Sequence, residues 1–300
     1  MPSDMGGIYG RRFRPSAHPP ICLTYDVPEL PEVETIVREI RPDLVGRRIL
    51  TARLSHDDVL RGVTRRKLLR GLRGAEVHDV TRRAKHAVIH TDSHRLVVQP
   101  GMTGSLQVCE GRLSSEDKRY AVLRAALDDG RELVYRDVRR LGTLLWLDDA
   151  GWREYTAAIG PEPLDPYFTP ELLARILQRS RAAVKKVLMD QRALAGVGNI
   201  YAQEALFEAG IDPSKPACRV PSEKIPPLHT ALVDILRASI ARQGTTVRDY
   251  RTGKGESGSF QFELKVYDRE GEPCVRCGTT LTGTHEIDAR ITVFCHRCQS

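Results

Sequence analysis

The stretch Pro28-Glu29-Leu30-Pro31-Glu32-Val33-Glu34-Thr35 decides how the rest of the chain is read. Pro31 suits the first turn of a helix, where a missing N–H costs nothing, and Glu32 and Glu34 favour the positive end of a helix dipole. An apolar stripe of Val33, Ile36, Val37, Ile40 and Leu44 follows at helical spacing, so the helix predicted from Pro31 has one face to bury. Upstream, residues 1–27 hold Gly6, Gly7, Pro15, Pro19 and Pro20 and no run of seven apolar residues that could serve as a signal-peptide core. They are expected to be a disordered extension.

Downstream the pattern changes to short β-type runs at Ile49–Leu54, Ala87–Thr91, Leu96–Gln99, Tyr120–Leu127, Leu133–Tyr135 and Leu144–Leu147, separated by Gly and Asp turns. Runs of this kind predict a sandwich or barrel. Gly160-Pro161-Glu162-Pro163-Leu164-Asp165-Pro166 then breaks all periodicity and reads as a linker. Helical patterns follow at 170–179, 182–190, 199–209 and about 222–242, then a glycine-rich loop at 252–259. The expected architecture is α+β: a β-sandwich domain with a leading helix over 28–158, a linker at 159–168, a helical domain over 169–262 and a cysteine-bearing end at 263–300.

Three hundred residues suffice for about two domains. A chain of this size can bury about three-quarters of its unfolded surface without cross-links. The composition, 41% hydrophobic and 28% charged, is that of a globular protein. No stretch approaches the roughly 18 apolar residues of a membrane span, so no membrane partner is expected. Lys plus Arg total 46 against 39 acids, and the excess of +7 suggests a polyanionic partner without naming one. It is concentrated: Arg61 to Lys85 holds nine bases and two acids, and Glu171 to Ile200 holds six bases and two acids. Either block alone reads as a solvated face.

Four of the seven cysteines form Cys274-x2-Cys277 and Cys295-x2-Cys298, with seventeen residues between the pairs. That is the spacing of a four-thiolate zinc site, two turns each delivering two sulfurs. The residues between suit a hairpin, with a turn at Gly283 and a strand over Ile291-Thr292-Val293-Phe294. One structural Zn2+ is expected, because four thiolates leave no open position for water. Two disulfides are the other reading. They would leave Cys22, Cys109 and Cys218 unpaired in a chain without a signal peptide.

Two turns invite a chemical reading. Gly196-Val197-Gly198-Asn199 opens a helix whose free N–H groups and partial positive charge could receive a phosphate, with the Asn amide as a further donor. As an isolated motif it reads first as an ordinary glycine-containing helix turn. Gln99-Pro100-Gly101-Met102-Thr103-Gly104 puts Met102 on a tight loop, where an unbranched apolar side chain either fills the core or wedges into a base stack.

The opening motif, Arg82-Arg83-Ala84-Lys85, the Met102 loop, Gly160-Pro161-Glu162-Pro163-Leu164, the Gly196 to Ala202 turn and the paired cysteines occur in one order over 273 residues. In this the chain resembles the bacterial formamidopyrimidine-DNA glycosylases, bifunctional DNA-repair enzymes. The resemblance implies an N-terminal β-sandwich and a C-terminal helix-two-turns-helix domain with a zinc finger, gripping damaged double-stranded DNA in the cleft between them. It also implies a monomer acting in the bacterial cytoplasm, nucleoid-associated when on DNA.

It further implies roles. The secondary amine of Pro28 would attack the sugar C1′ and form a Schiff base. Glu29 would move protons at the sugar, Lys85 would assist β-elimination, and Arg290 on the finger would hold a phosphate and act in δ-elimination. Arg181 and Asn199 would contact phosphates, while Met102, Arg139 and Leu141 would fill the gap left by a flipped-out base. The chemistry suits the residue type, since a terminal amine of pKa about 7.7–8.0 is far more often free base at neutral pH than a lysine at about 10.4. Glu32 would lie near the flipped base or serve only as helix N-terminal charge.

Three departures from the family pattern stand out. Pro28 is not the first residue, and as a peptide nitrogen it has no lone pair for attack; Val27 is what a GTG start codon would print, so translation is expected to start at position 27, with the initiator then removed. Leu141 stands where the family places Phe and Val138 where it places Pro; a smaller wedge gives up stacking worth roughly 1–3 kcal/mol per base. Tyr120 stands where a phosphate-contacting His is common, and Ser259 where an aromatic often occurs. The leading expectation is a DNA glycosylase and abasic-site lyase acting on 8-oxoguanine and formamidopyrimidines. The alternatives are an endonuclease VIII-like enzyme for oxidised pyrimidines and a non-catalytic DNA-binding protein in which Pro28 stays capped.

Overall fold

The helix that follows Pro28 belongs to both halves of the molecule. In the computed structural model, which describes residues 28–245 and 252–300, α1 spans Leu30–Leu44 and buries Val33, Ile36, Val37, Ile40 and Leu44 at no more than 5% exposure. The extension expected over 1–27 lies outside the described residues. The stripe of α1 enters a first hydrophobic core with the strands that follow it. Leu30, one turn ahead of the stripe, enters a second core built by the C-terminal helices.

The first core lies between two four-stranded antiparallel sheets. Its elements in chain order are β1 (Ile49–Leu54), α2 (Arg65–Leu72), β2 (Val77–Arg83), β3 (His86–Thr91), β4 (Arg95–Gln99), β5 (Gly104–Cys109), α3 (Ser115–Tyr120), β6 (Ala121–Leu127), β7 (Glu132–Asp137) and β8 (Thr143–Leu147). One sheet has the order β1-β6-β7-β5 and the other β2-β3-β4-β8. Registers such as Val88↔Val97 and Val97↔Leu145 align β-branched and aliphatic residues across strands, and such cross-strand side-chain pairs stabilise a sheet. This is the expected sandwich with a leading helix.

Several elements differ from the sequence reading. The run expected as a strand from Tyr120 begins at Ala121, and Tyr120 ends the short helix α3, capped by Ser114. Strands β2 and β5 and helix α2 carry too few apolar residues to announce themselves. In α2 only Leu68 and Leu72 are buried, and Thr64 caps the helix by accepting from the Lys67 N–H at 3.3 Å.

After α4 (Asp149–Ala157) the proline-rich segment is pinned at its start. The Gly160 N–H donates to the Gln191 carbonyl at 2.8 Å, and the Ala195 N–H donates to the Pro161 carbonyl at 2.9 Å. The second core then gathers α5 (Pro170–Gln178), α6 (Val184–Met189), α7 (Asn199–Glu208) and α8 (Ile225–Ala241). Helix α7 is buried along almost its whole length, against α8, α6 and the C-terminal hairpin. That hairpin, β9 (Thr282–Thr284) paired antiparallel with β10 (Thr292–Phe294), makes a third small core around Phe207, Val266, Leu281 and Val293. Gly283 lies inside β9, so the expected turn falls later, between the strands. Among the described residues no helix is long and apolar enough to cross a membrane.

Candidate active site

Glu29, the residue before α1, is 2% exposed and faces the N-terminus of α7. Its carboxylate accepts the Gly198 N–H at 2.5 Å and the Ile200 N–H at 3.0 Å. The helix N-terminus expected to receive a phosphate is therefore taken by an internal anion, which satisfies the same free N–H groups and the same dipole. The glycines follow from this approach. A Cβ at Gly198 would collide with both the Glu29 carboxylate and Lys85 Nζ, and at Gly196, where φ is +80°, it would strike the Leu30 side chain.

Lys85 reaches the same point from the β2–β3 turn. Its neighbour Ala84 holds φ 51°, a left-handed conformation costly for a side chain that is not glycine. Glu162 stabilises the turn by accepting the Ala84 N–H at 2.6 Å, Arg82 Nη1 at 2.6 Å and Arg83 Nη1 at 2.8 Å. Arg82 also donates to Glu34 at 3.0 Å. These two arginines were counted in the basic block as solvated charge; the structure corrects this, because both guanidiniums are engaged by internal carboxylates and carbonyls.

The electrostatics follow from burial. Burial lifts the Glu29 carboxyl to about 7, with Glu32 adding to the rise and Lys85, the Ile200 N–H and Arg290 opposing it. Burial also lowers the Lys85 ammonium, against the pull of Glu29. Glu29 can thus be protonated or charged near neutrality, the property a proton shuttle needs. Arg290 approaches from the loop ahead of β10. Its N–H donates to Asp288 Oδ1 at 2.7 Å, and its Nε is enclosed without a hydrogen-bond partner among the described residues. The structure thus brings Glu29, Lys85 and Arg290 together beside Pro28, which is itself buried.

Two buried groups do more than the sequence reading assigned them, although the helix N-terminal role expected of Glu32 is among what the structure shows. Lys185, counted in the second basic block, is 0% exposed, with Nζ donating to Thr292 Oγ1 at 2.6 Å and 3.1 Å from Asp288 Oδ2. It fastens α6 to the loop that carries Arg290. Glu32, 2% exposed, accepts the Glu29 N–H at 2.9 Å, the Tyr201 hydroxyl at 2.5 Å and the Thr245 N–H at 2.8 Å. It caps α1 and ties it to α7 and the segment after α8. Only the position three residues after an N-cap could have flagged the capping half of that role.

The remaining predicted residues fall in separate places. Met102, Arg139 and Leu141 share one rim of the sandwich: Arg139 Nη1 lies 3.4 Å from Met102 Sδ, and Leu141 is 40% exposed. Tyr120 is half-buried under Arg119. Arg181 is exposed, whereas Asn199 is 3% exposed with Nδ2 turned 3.4 Å from the Ile291 carbonyl.

The four cysteines converge. Their sulfurs all lie within 4.8 Å of one another, with Cys274 to Cys298 at 3.9 Å and Cys277 to Cys295 at 3.5 Å. Four thiolates at a Zn–S distance of about 2.3 Å sit about 3.8 Å apart in a tetrahedron, so the set fits one metal ion closed on all sides.

Comparisons with known proteins meet this geometry directly. The model of the formamidopyrimidine-DNA glycosylase N-terminal domain matches residues 27–144, and that of the formamidopyrimidine-DNA glycosylase H2TH domain matches 159–251. The chain belongs to the formamidopyrimidine-DNA glycosylase family. Formamidopyrimidine-DNA glycosylase of Xanthomonas campestris pv. campestris is 43% identical over 274 residues, covering 91% of this chain and all of that relative. Among solved structures, Lactococcus lactis Fpg bound to an abasic site containing DNA aligns with a TM-score of 0.83 at 30% identity, covering 91% of this chain and 99% of that one. MutM (Fpg) of Thermus thermophilus aligns at 0.80 and 34% identity, covering 91% and 98%. The chain is therefore a DNA-repair enzyme, a base-excision glycosylase with the fold of that family.

Proposed function

We propose that this enzyme excises oxidised purines, 8-oxoguanine and formamidopyrimidines, from damaged duplex DNA and then cleaves the strand as an abasic-site lyase. The observation that carries the reading is the meeting of Glu29, Lys85 and Arg290 beside Pro28. As a free secondary amine, Pro28 attacks the sugar C1′, and the bond to the damaged base breaks. The base leaves with the electron pair of its bond to C1′ and takes up the proton that the amine loses; the nitrogen lone pair then expels O4′, which accepts a proton as the sugar ring opens, and the nitrogen and C1′ form a Schiff base. That iminium acidifies C2′, and loss of the C2′ proton expels the 3′ phosphate; the conjugated iminium then acidifies C4′, and loss of the C4′ proton expels the 5′ phosphate.

Glu29 is suited to move the protons at the sugar because its carboxyl titrates near neutrality. Lys85, its ammonium destabilised by burial, is suited to accept the C2′ proton. Arg290 offers a guanidinium for the departing phosphate. The attack requires Pro28 at the chain end, so the active form is proposed to begin there. Arg181 and Asn199 would hold backbone phosphates, with Tyr120 in the same role, and Met102, Arg139 and Leu141 would occupy the space of the extruded base. One zinc ion at the four cysteines would cross-link the finger and so keep Arg290 over the cleft.

The supporting likeness on the substrate side is the wild-type Lactococcus lactis Fpg complex with N7-benzyl-Fapy-dG containing DNA, aligned at a TM-score of 0.84 and 31% identity. The test is product analysis on matched duplexes. Release of free 8-oxoguanine with a one-nucleotide gap bearing phosphates at both ends is expected from the enzyme beginning at Pro28. Faster release of oxidised pyrimidines from the same sequence would overturn the purine assignment.

A further inference from the structure

Asp137, the last residue of β7, is 1% exposed, and its four hydrogen bonds come from neutral donors. Its Oδ1 accepts the Thr103 hydroxyl at 2.6 Å and the Arg140 N–H at 3.0 Å. Its Oδ2 accepts the Tyr135 hydroxyl at 3.0 Å and the Gly142 N–H at 2.8 Å. Thr103 in turn accepts the Arg139 N–H at 3.0 Å. One buried carboxylate therefore touches both the loop that carries Met102 and the loop that carries Arg139 and Leu141.

The two loops also meet backbone to backbone. A Cβ on Gly101 would lie 2.6 Å from the Leu141 carbonyl carbon, and a Cβ on Gly142 would lie 2.5 Å from the Gln99 carbonyl oxygen. Between them Arg140 holds φ 52°, a left-handed conformation, and turns its guanidinium away to Asp58 at 2.8 Å. The Asp137 bond to the Arg140 N–H holds that conformation, which leaves Arg139 and Leu141 on either side of it at the rim. Burial and the adjacent carboxylate push the Tyr135 hydroxyl well above its ordinary value, so it stays a donor.

We propose that Asp137 is a positioning residue that locks the Met102 loop and the 138–141 loop into one rigid wedge for the base gap. The proposal rests on the reading of Met102, Arg139 and Leu141 as gap-filling residues. Its specific consequence is a split between two reactions of the same enzyme: excision of a damaged base needs the base extruded and the gap filled, whereas incision at a preformed abasic site has no base to extrude.

The experiment compares single-turnover excision of 8-oxoguanine with incision of a preformed abasic site, in the enzyme beginning at Pro28, for Asp137→Asn, Thr103→Val, Thr103→Ser and Met102→Ala. A 2-aminopurine placed opposite the lesion reports gap filling by its fluorescence. Asp137→Asn and Thr103→Val are expected to slow excision by about tenfold to a hundredfold, abolish the 2-aminopurine change and leave abasic incision within about twofold. Thr103→Ser, which keeps the hydroxyl, restores excision. Equal loss of both reactions in Asp137→Asn and Thr103→Val, or no recovery with Thr103→Ser, overturns the proposal as mere loss of fold. A Met102→Ala enzyme with unchanged excision and fluorescence overturns the gap-filling reading itself. Impaired Met102→Ala beside unimpaired Asp137→Asn and Thr103→Val overturns only the role of Asp137.

Discussion

At the scale of single residues, Glu29 is placed where two requirements compete. Its two backbone hydrogen bonds favour the charged carboxylate, yet burial dominates and lifts it to about 7. A donor of that value paired with a terminal amine of about 7.7–8.0 predicts a bell-shaped pH profile for single-turnover base release. The rate should rise as the Pro28 amine loses its proton, fall as Glu29 loses its own, and peak between about 7 and 8. A rate still climbing at high pH would remove Glu29 as the donor. The same group bears on stability. A folded value raised from 4.5 favours the protonated form, so its contribution is fully present below about 4.5 and is lost as pH rises through about 7. Glu29→Gln should therefore flatten the fall in denaturant stability over that window, by roughly 1–3 kcal/mol. The pairing of Glu29 with Pro28 was legible from the opening motif. The occupation of the α7 N-terminus by Glu29 was not, because no local pattern links residues 169 positions apart.

At the scale of elements, the turn between β2 and β3 depends on a carboxylate from the proline-rich segment. Glu162 neutralises Arg82 and Arg83 and bonds the strained Ala84, and although burial alone would raise its carboxyl, Arg82 leads the partners that hold it below the ordinary range. Glu162→Gln leaves Arg83 without its carboxylate and Arg82 with Glu34 alone, and unfolding in urea should show a loss of about 3 kcal/mol. Abasic-site incision should fall more than Schiff-base formation, because the turn carries Lys85. Equal stability and unchanged incision would show that the turn holds itself. Such partnerships explain what the sequence reading mistook. A count of bases sees Arg82, Arg83 and Lys185 as surface charge, and only tertiary structure supplies Glu162, Asp288 and Thr292. Helices with a proline in the first turn and apolar residues at helical spacing, such as α1, α5 and α8, were legible; α2 and β2, with few apolar positions among charges, were not.

At the scale of the whole molecule, α1 joins a sandwich core and a helical core, with the catalytic candidates at their junction. The paired cysteines closed as their spacing demanded, since two short knuckles can deliver four sulfurs to one point whatever the fold around them. Chelating the zinc proposed at the four cysteines should free the loop that carries Arg290 and weaken DNA binding by about tenfold or more, with recovery on adding zinc; binding unchanged after verified metal loss would contradict this. DNA affinity should also fall by roughly a thousandfold between about 50 and about 200 mM salt, as several phosphate contacts require. A flat response in a titration would count against a phosphate-lined cleft. The central claim, a Schiff base at Pro28, is tested most directly by borohydride trapping on 8-oxoguanine duplex, followed by peptide mass analysis of the adduct. Chains beginning at Pro28 should give a covalent adduct on the Pro28 nitrogen, absent in Pro28→Gly at matched times and absent in chains beginning at Met1. An adduct on Lys85 or another lysine, or trapping by the chain that still carries residues 1–27, would contradict it.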